Sequence, residues 1–385
     1  MTPFDFQPRT RLVFGPGKID TLGELASEMG ARRALVVSDP GVIAAGHTAR
    51  GIAALEKAGI ESHLFDGVHE NPTTDDVEAG VKLARRYDPE LLVGLGGGSS
   101  MDCAKGINFL YANGGEMKDY WGVGKALQPM LPMIAVPTTA GTGSETQSFA
   151  LISDSKTHVK MACGDKKASC RIALLDPELT ISQPPRVTTL TGIDAISHAL
   201  ETLVTTRRNP ISLALSREAW RLLAANYARV VDEPTNIDAR GSMLLGASFA
   251  GLAIENSMLG AAHALANPLT TMFDVAHGQA VGVMLPHVIR FNAVSVEGLY
   301  LDLLRESESD SDFPLPELAC GAAGLAEFVT RMLAKAGLET TLRPLGVDPL
   351  KLPALAAQAA KQWTATFNPR PVPEDELLAL YQQAF

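Results

Sequence analysis

The chain has 385 residues, 46% hydrophobic and 20% charged, a globular composition that excludes disorder as the main state. With 33 Lys+Arg against 43 Asp+Glu the net charge is −10, which argues against nucleic acid or an anionic membrane as a partner. No apolar run approaches the ~20 residues of a membrane span. The N-terminus, MTPFDFQPRTRLVFG, lacks a basic stretch followed by an apolar one, so no signal peptide is expected. Cys103, Cys163, Cys170 and Cys320 form no CxxC pair and are expected as free thiols in a reducing cytoplasm.

The first half alternates strand and helix patterns. Ala34–Val37 is a short apolar run that ends at Ser38-Asp39-Pro40. A helical stretch near Gly51–Ala58 follows, then a strand-like Ser62–Phe65. Asp75–Tyr87 places Val77, Val81 and Ala84 on one helical face. Leu91–Val93 runs straight into a glycine-rich turn, Met133–Val136 ends at Pro137, and Ala173–Asp176 is the last strand pattern. Apolar strands alternating with helices predict a mainly parallel sheet covered on both faces. Ligands bind such sheets at the carboxyl ends of their strands, where this chain places its glycines.

Gln183-Pro184-Pro185 then breaks the pattern. Beyond it run helical patterns at Thr191–Thr205, Pro210–Tyr227, Ile237–Glu255, Gly260–Met272, Leu325–Ala336 and Glu374–Gln383. The expected organisation is an N-terminal α/β dinucleotide-binding domain, 1–184, and an all-helical C-terminal domain, 185–385, for metal and substrate. Residues 306–312, ESESDSD, are expected as an exposed acidic loop.

Gly96-Gly97-Gly98-Ser99 can bring backbone N–H groups to a phosphate at a helix N-terminus; the alternative is a tight strand-to-helix turn. Asp39, directly after a strand, can accept from a ribose 2′-hydroxyl and repel a 2′-phosphate, favouring NAD; the alternative is a helix cap before Pro40. The strand-end loop Pro137–Glu145 is rich in hydroxyls and glycine and suits pyrophosphate or ribose contacts. Asp194 and His198 are four apart in a helical stretch and share one face. With His263 and His277 they offer one carboxylate and three imidazoles, a donor set suited to Zn²⁺ or Fe²⁺. Any single histidine, taken alone, is as readily structural.

Several of these segments occur in a fixed order: Gly96–Ser99 with Asp102 and Lys105, Pro137–Glu145, Gly192–Ala199, Gly260–Ala264, His277-Gly278 and Asn368-Pro369-Arg370. In that order they resemble the iron-containing (group III) alcohol dehydrogenase family. The resemblance implies a dehydroquinate synthase-like architecture, NAD as cofactor, and a divalent metal, Fe²⁺ or Zn²⁺. Its metal pattern falls on Asp194, His198, His263 and His277. Its nucleotide positions fall on Asp39, Gly97, Gly98, Ser99, Thr138, Thr139 and Thr142, with Lys160 and Asn71 beside them. Where many members carry a further histidine, thought to relay protons or touch the nicotinamide, this chain has Asn267; an amide does not shuttle protons at neutral pH. Asn267 is left to orient a water or the cofactor, or to cap the helix before Pro268.

The expected reaction is reversible hydride transfer between a primary alcohol and NAD, giving an aldehyde. By position, Phe149, Ile254, Leu259, Trp363 and Phe367 are candidates to line an apolar alcohol pocket, or are ordinary core residues. The same scaffold could instead serve a polyol dehydrogenase, a maleylacetate-type reductase, a hydroxyacid–oxoacid transhydrogenase or a dehydroquinate-synthase-like cyclisation, or a non-catalytic nucleotide-binding protein. A homodimer or larger homo-oligomer is expected from the resemblance.

Overall fold

In the computed structural model, residues 3–307 and 321–385 are described. Cys320 and most of the acidic stretch 306–312 lie outside them. Two compact units divide the chain, one over Gln7–Gln183 and one centred on Pro184–Phe385.

The α/β unit is built on six parallel strands: β1 (Arg11–Phe14), β2 (Arg33–Val37), β3 (Glu61–Phe65), β4 (Leu91–Gly96), β6 (Met133–Pro137) and β9 (Ile172–Leu175). Their order is β1-β9-β6-β4-β2-β3. β4, β6 and β9 are buried at every position, which is why they read as continuous Val, Leu, Ile and Ala runs rather than alternating ones. A second, three-stranded sheet joins β5 (Gly122–Val123) to the antiparallel pair β7 (Phe149–Ser153) and β8 (Lys160–Gly164). The sequence pattern did not reveal that hairpin or β1.

Helices α1 (Leu22–Glu28), α2 (Pro40–Ala44), α3 (His47–Lys57), α4 (Thr74–Tyr87) and α5 (Gly98–Asn113) connect the strands. Local chemistry fixes their starts. Thr73 and Asp76 form a reciprocal capping box on α4, and Asp39 caps α2 with Pro40 at its first position. Because β2, β4 and β6 are neighbours, the segments after them, at Asp39, Gly97 and Thr138, emerge side by side.

Beyond Leu175 no strand occurs among the described residues. The helical unit comprises α6 (Pro185–Val204), α7 (Pro210–Asp232), α8 (Ile237–Asn256), α9 (Ala261–Phe273), α10 (His277–Ser307), α11 (Gly321–Lys335), α12 (Leu352–Ala359) and α13 (Glu374–Ala384). No single helix is long and apolar enough to cross a membrane. The longest helix, α10, was absent from the sequence expectation. It contains Pro286, and it is broken at Val296, whose φ of −141° and ψ of 20° leave the helical region. Every residue from Gln279 to Pro286 is buried, so no polar face marks the 3.6-residue period. Its last residues also occupy the start of the expected acidic loop.

Buried glycines set the closest approaches. A Cβ on Gly278 would overlap the Leu190 carbonyl oxygen and lie 2.7 Å from its carbon. Only glycine lets the start of α10 press against the α6 backbone this tightly. Gly278→Ala is therefore expected to destabilise the protein by about 1–3 kcal/mol through overpacking. An unchanged urea midpoint would remove this constraint from the fold.

Candidate metal centre and nucleotide cleft

In the helical unit three helices bring four side chains to one buried point. α6 supplies Asp194 and His198, α9 supplies His263 in its first turn, and α10 begins with His277. Asp194 Oδ1 lies 3.5 Å from His198 Nε2, 3.5 Å from His263 Nε2 and 3.7 Å from His277 Nε2. These spacings are too long for direct hydrogen bonds of good geometry. They match the ligand–ligand edge of about 3.4 Å in a tetrahedron with bonds of about 2.1 Å. Asp194 Oδ1 and His263 Nε2 are buried without a hydrogen-bond partner among the described residues, a costly state that a cation between them relieves. The donor atoms of Asp194, His263 and His277 all lie within 4.8 Å of one another. One carboxylate and three imidazoles therefore fit a divalent ion of the Fe²⁺ or Zn²⁺ type. The His277 side chain is 33% exposed against 5–7% for the other three, so the centre opens on that side.

The electrostatics agree. Burial alone would raise the Asp194 pKa, but His198, His263 and His277 hold its carboxyl well below the usual carboxylate range. For His263 burial pushes the pKa down; Glu201 and Asp194 together outweigh it and raise it to about 9. Glu201 was missed by the sequence reading. It lies three residues after His198, on the same face of α6, and that spacing was the available signal. Its carboxylate accepts hydrogen bonds from His263 Nδ1 at 2.6 Å, Ala262 N at 2.6 Å and Gly260 N at 3.1 Å.

Asn267 does not cap a helix. α9 runs through Pro268 to Phe273, which leaves Asn267 one turn beyond His263 on the same side. Its Nδ2 donates to Gln362 Oε1 at 3.0 Å. Beside Gln362, Trp363 is 41% exposed and meets the Phe367 ring edge-on at 5.6 Å. Leu259 precedes α9 and is half-buried, whereas Ile254 is buried within α8. Phe149 belongs to the other unit, where its ring packs where a Gly164 side chain would be. The five apolar candidates thus form no single group within either unit.

In the α/β unit a cleft of about 420 Å³ opens over the strand ends. Asp39, Gly97, Ser99, Thr138 and Thr139 line it, and the volume is within the usual range for ligand sites. Asp39 caps α2 and also lines the cleft. Oδ1 accepts from Gly41 N at 3.0 Å and Val42 N at 3.1 Å, while Oδ2 accepts from Ser100 Oγ at 2.9 Å. A Cβ on Gly98 would come within 2.7 Å of Thr142 Cγ2, so the glycine turn and the threonine loop pack directly on each other. Asn71 N donates to Ser99 Oγ at 3.2 Å, and Lys160 Nζ donates to Asn71 Oδ1 at 3.2 Å. Under the two loops lies Lys105, fully buried. Its Nζ donates to Ser144 O at 2.6 Å, Ser144 Oγ at 2.8 Å and Phe149 O at 2.9 Å, and Ser144 Oγ donates to Asp102 at 2.6 Å.

Residues 8–177 match the iron-containing alcohol dehydrogenase family, and residues 188–385 match the C-terminal region of the Fe-containing alcohol dehydrogenase family. The chain belongs to the iron-containing alcohol dehydrogenase family. It is 34% identical to a 1,3-propanediol dehydrogenase of Klebsiella pneumoniae over 99% of both chains. A crystal structure of a 1,3-propanediol oxidoreductase matches with a TM-score of 0.94 at 33% identity over 100% of both chains. A sulfoacetaldehyde reductase from Bifidobacterium kashiwanohense, solved in complex with NAD⁺, matches with a TM-score of 0.90 at 27% identity over 100% of this chain and 99% of that one. The protein is accordingly an oxidoreductase of this family, with NAD and a divalent metal as cofactors.

The raised His263 pKa makes metal uptake by this dehydrogenase pH-dependent. A metal can take Nε2 only when its proton leaves, and that proton is held up to about pH 9. Zn²⁺ affinity should therefore rise about tenfold per pH unit from pH 7 and flatten near pH 9, with protons released on binding. A chelator-competition titration that finds no pH dependence in that window would contradict the assignment.

Proposed function

We propose that this dehydrogenase interconverts a primary alcohol and an aldehyde, with the metal held by Asp194, His198, His263 and His277. The observation that carries the proposal is one buried carboxylate oxygen with three imidazole Nε2 atoms at 3.5–3.7 Å. When bound, the metal supplies Lewis acidity to an alcohol oxygen, and NAD supplies the hydride acceptor. The chain's own groups supply position and charge. Asp194 offsets the cation's charge in a buried setting, and the exposed side of His277 leaves an approach for a substrate oxygen. Trp363, Phe367 and Leu259 offer apolar surface on the α9 side, which favours an aliphatic or aromatic alcohol over a polyol. Asn267, tied to Gln362, orients rather than relays protons.

NAD is assigned to Gly97, Gly98 and Ser99 at the start of α5, to Thr138, Thr139 and Thr142 for phosphate and ribose contacts, and to Asn71 with Lys160 beside them. Asp39 takes the ribose diol. Support comes from the shared cleft over neighbouring strand ends and from the α5 N-terminus that faces it. A reducing cytoplasmic location accords with Cys103, Cys163 and Cys170, all unpaired and buried. Assembly into a homo-oligomer accords with the exposed Trp121, Val123 and Leu127 near β5.

Two experiments test the assignment. Anaerobic chelation should abolish NADH formation from short alcohols, and His263→Ala should do the same with metal restored; full activity in either preparation would reject the metal role. Asp39→Gly should raise kcat/KM with NADP⁺ relative to NAD⁺, since it removes the carboxylate that repels a 2′-phosphate. A wild-type protein that already uses both cofactors equally would reject the Asp39 role.

A further inference from the structure

We propose that Glu201 is the positioning residue of the metal centre, fixing the His263 ring as a ligand and capping the helix that carries it. The inference rests on the metal assignment above. Three N–H donors converge on this one carboxylate. Oε2 accepts from His263 Nδ1 at 2.6 Å and Gly260 N at 3.1 Å, and Oε1 accepts from Ala262 N at 2.6 Å. The side chain is 4% exposed, so water does not substitute for these bonds.

The contacts have two consequences. First, a carboxylate can only accept, so His263 Nδ1 must carry a hydrogen. In the neutral ring this leaves the lone pair on Nε2, the atom 3.5 Å from Asp194 Oδ1. Second, α9 has no cap of its own. Gly260 precedes it without a side chain, and a Cβ there would lie 3.1 Å from Glu201 Oε1 and 3.2 Å from Asn368 Oδ1. The orphan N–H groups of the first turn are satisfied from elsewhere in the fold, by Glu201 on α6 and by Asn368, whose Oδ1 accepts from Ala261 N at 3.4 Å. Asp194, His198 and Glu201 all stand on α6, so one helix both ligates the ion and aims a ligand from a second helix. Asn368 shares the capping task but makes no hydrogen bond to His263, which separates the two functions.

Glutamine at 201 offers one acceptor oxygen in place of two. The NH₂ group either replaces Oε1 and meets Ala262 N–H, or replaces Oε2 and meets both Gly260 N–H and His263 Nδ1–H. In the second orientation the ring turns to the other tautomer and places its hydrogen on Nε2, which blocks the ligand position.

The test is Zn²⁺ competition titration of the metal-stripped, full-length protein with Glu201→Gln, Glu201→Asp and Asn368→Ala, each checked for folding by circular dichroism. Glu201→Gln should lose about 10–100-fold in Zn²⁺ affinity. Glu201→Asp keeps the charge and should lose less. Asn368→Ala should unfold at a lower temperature yet bind Zn²⁺ like the wild type. Co²⁺ absorption should shift in Glu201→Gln, because the ligand field changes with the ring. Wild-type affinity in Glu201→Gln would overturn the proposal, as would an equal loss in Asn368→Ala, which reduces Glu201 to a cap. If Glu201→Gln does not fold, Glu201→Asp must still bind Zn²⁺ more weakly than Asn368→Ala, and the reverse order overturns the proposal. Equal Zn²⁺ binding by the wild type and His263→Ala would instead fault the metal assignment itself.

Discussion

A carboxylate buried among three imidazoles is the constraint on which the helical unit depends. Asp194 is too deeply placed to stay charged without compensation. The compensation comes from three helices, so α6, α9 and α10 must converge closely. That convergence explains a glycine next to a ligand: Gly278, directly after His277, lets α10 meet the Leu190 carbonyl of α6. It also leaves the first turn of α9 capped by side chains from other segments.

The α/β unit solves a different problem. A polyphosphate needs several backbone N–H groups and hydroxyls at one spot, and one loop rarely supplies enough of them. Three adjacent parallel strands deliver three loops to the same edge. The buried Lys105 then ties two of them together beneath the cleft. Burial raises the Asp102 carboxyl, while Lys105 and the Ser144 hydroxyl oppose the rise. A buried cation with backbone carbonyls on two segments acts as a rivet, fixing the Thr142–Ser144 turn against α5.

Legibility differed by physical type. Strands buried on both faces and helices with clear starts, such as α4 and α7, were visible because their signals are local. β1, the β7–β8 pair and α10 were not. β1 is four residues long and lacks a buried run, the hairpin joins at the level of pairing, and the buried stretch of α10 has no polar face. Asn267 showed the limit of rules about proline. Pro268 stands inside α9, in its third turn, rather than at its end; it is buried there with Leu269, so tertiary packing holds the helix where the ring removes a backbone hydrogen bond.

The sequence by itself determined the chemistry on offer. The order of the glycine, threonine and histidine segments specifies family, cofactor class and the donor types, since side-chain chemistry and spacing along one helix are local properties. Only the tertiary structure decided that one oxygen of Asp194 faces all three Nε2 atoms, that the His277 side is open, and that Glu201 stands behind His263. Those facts depend on helix approach, and contacts between residues about 60 positions apart leave no periodic trace in the chain.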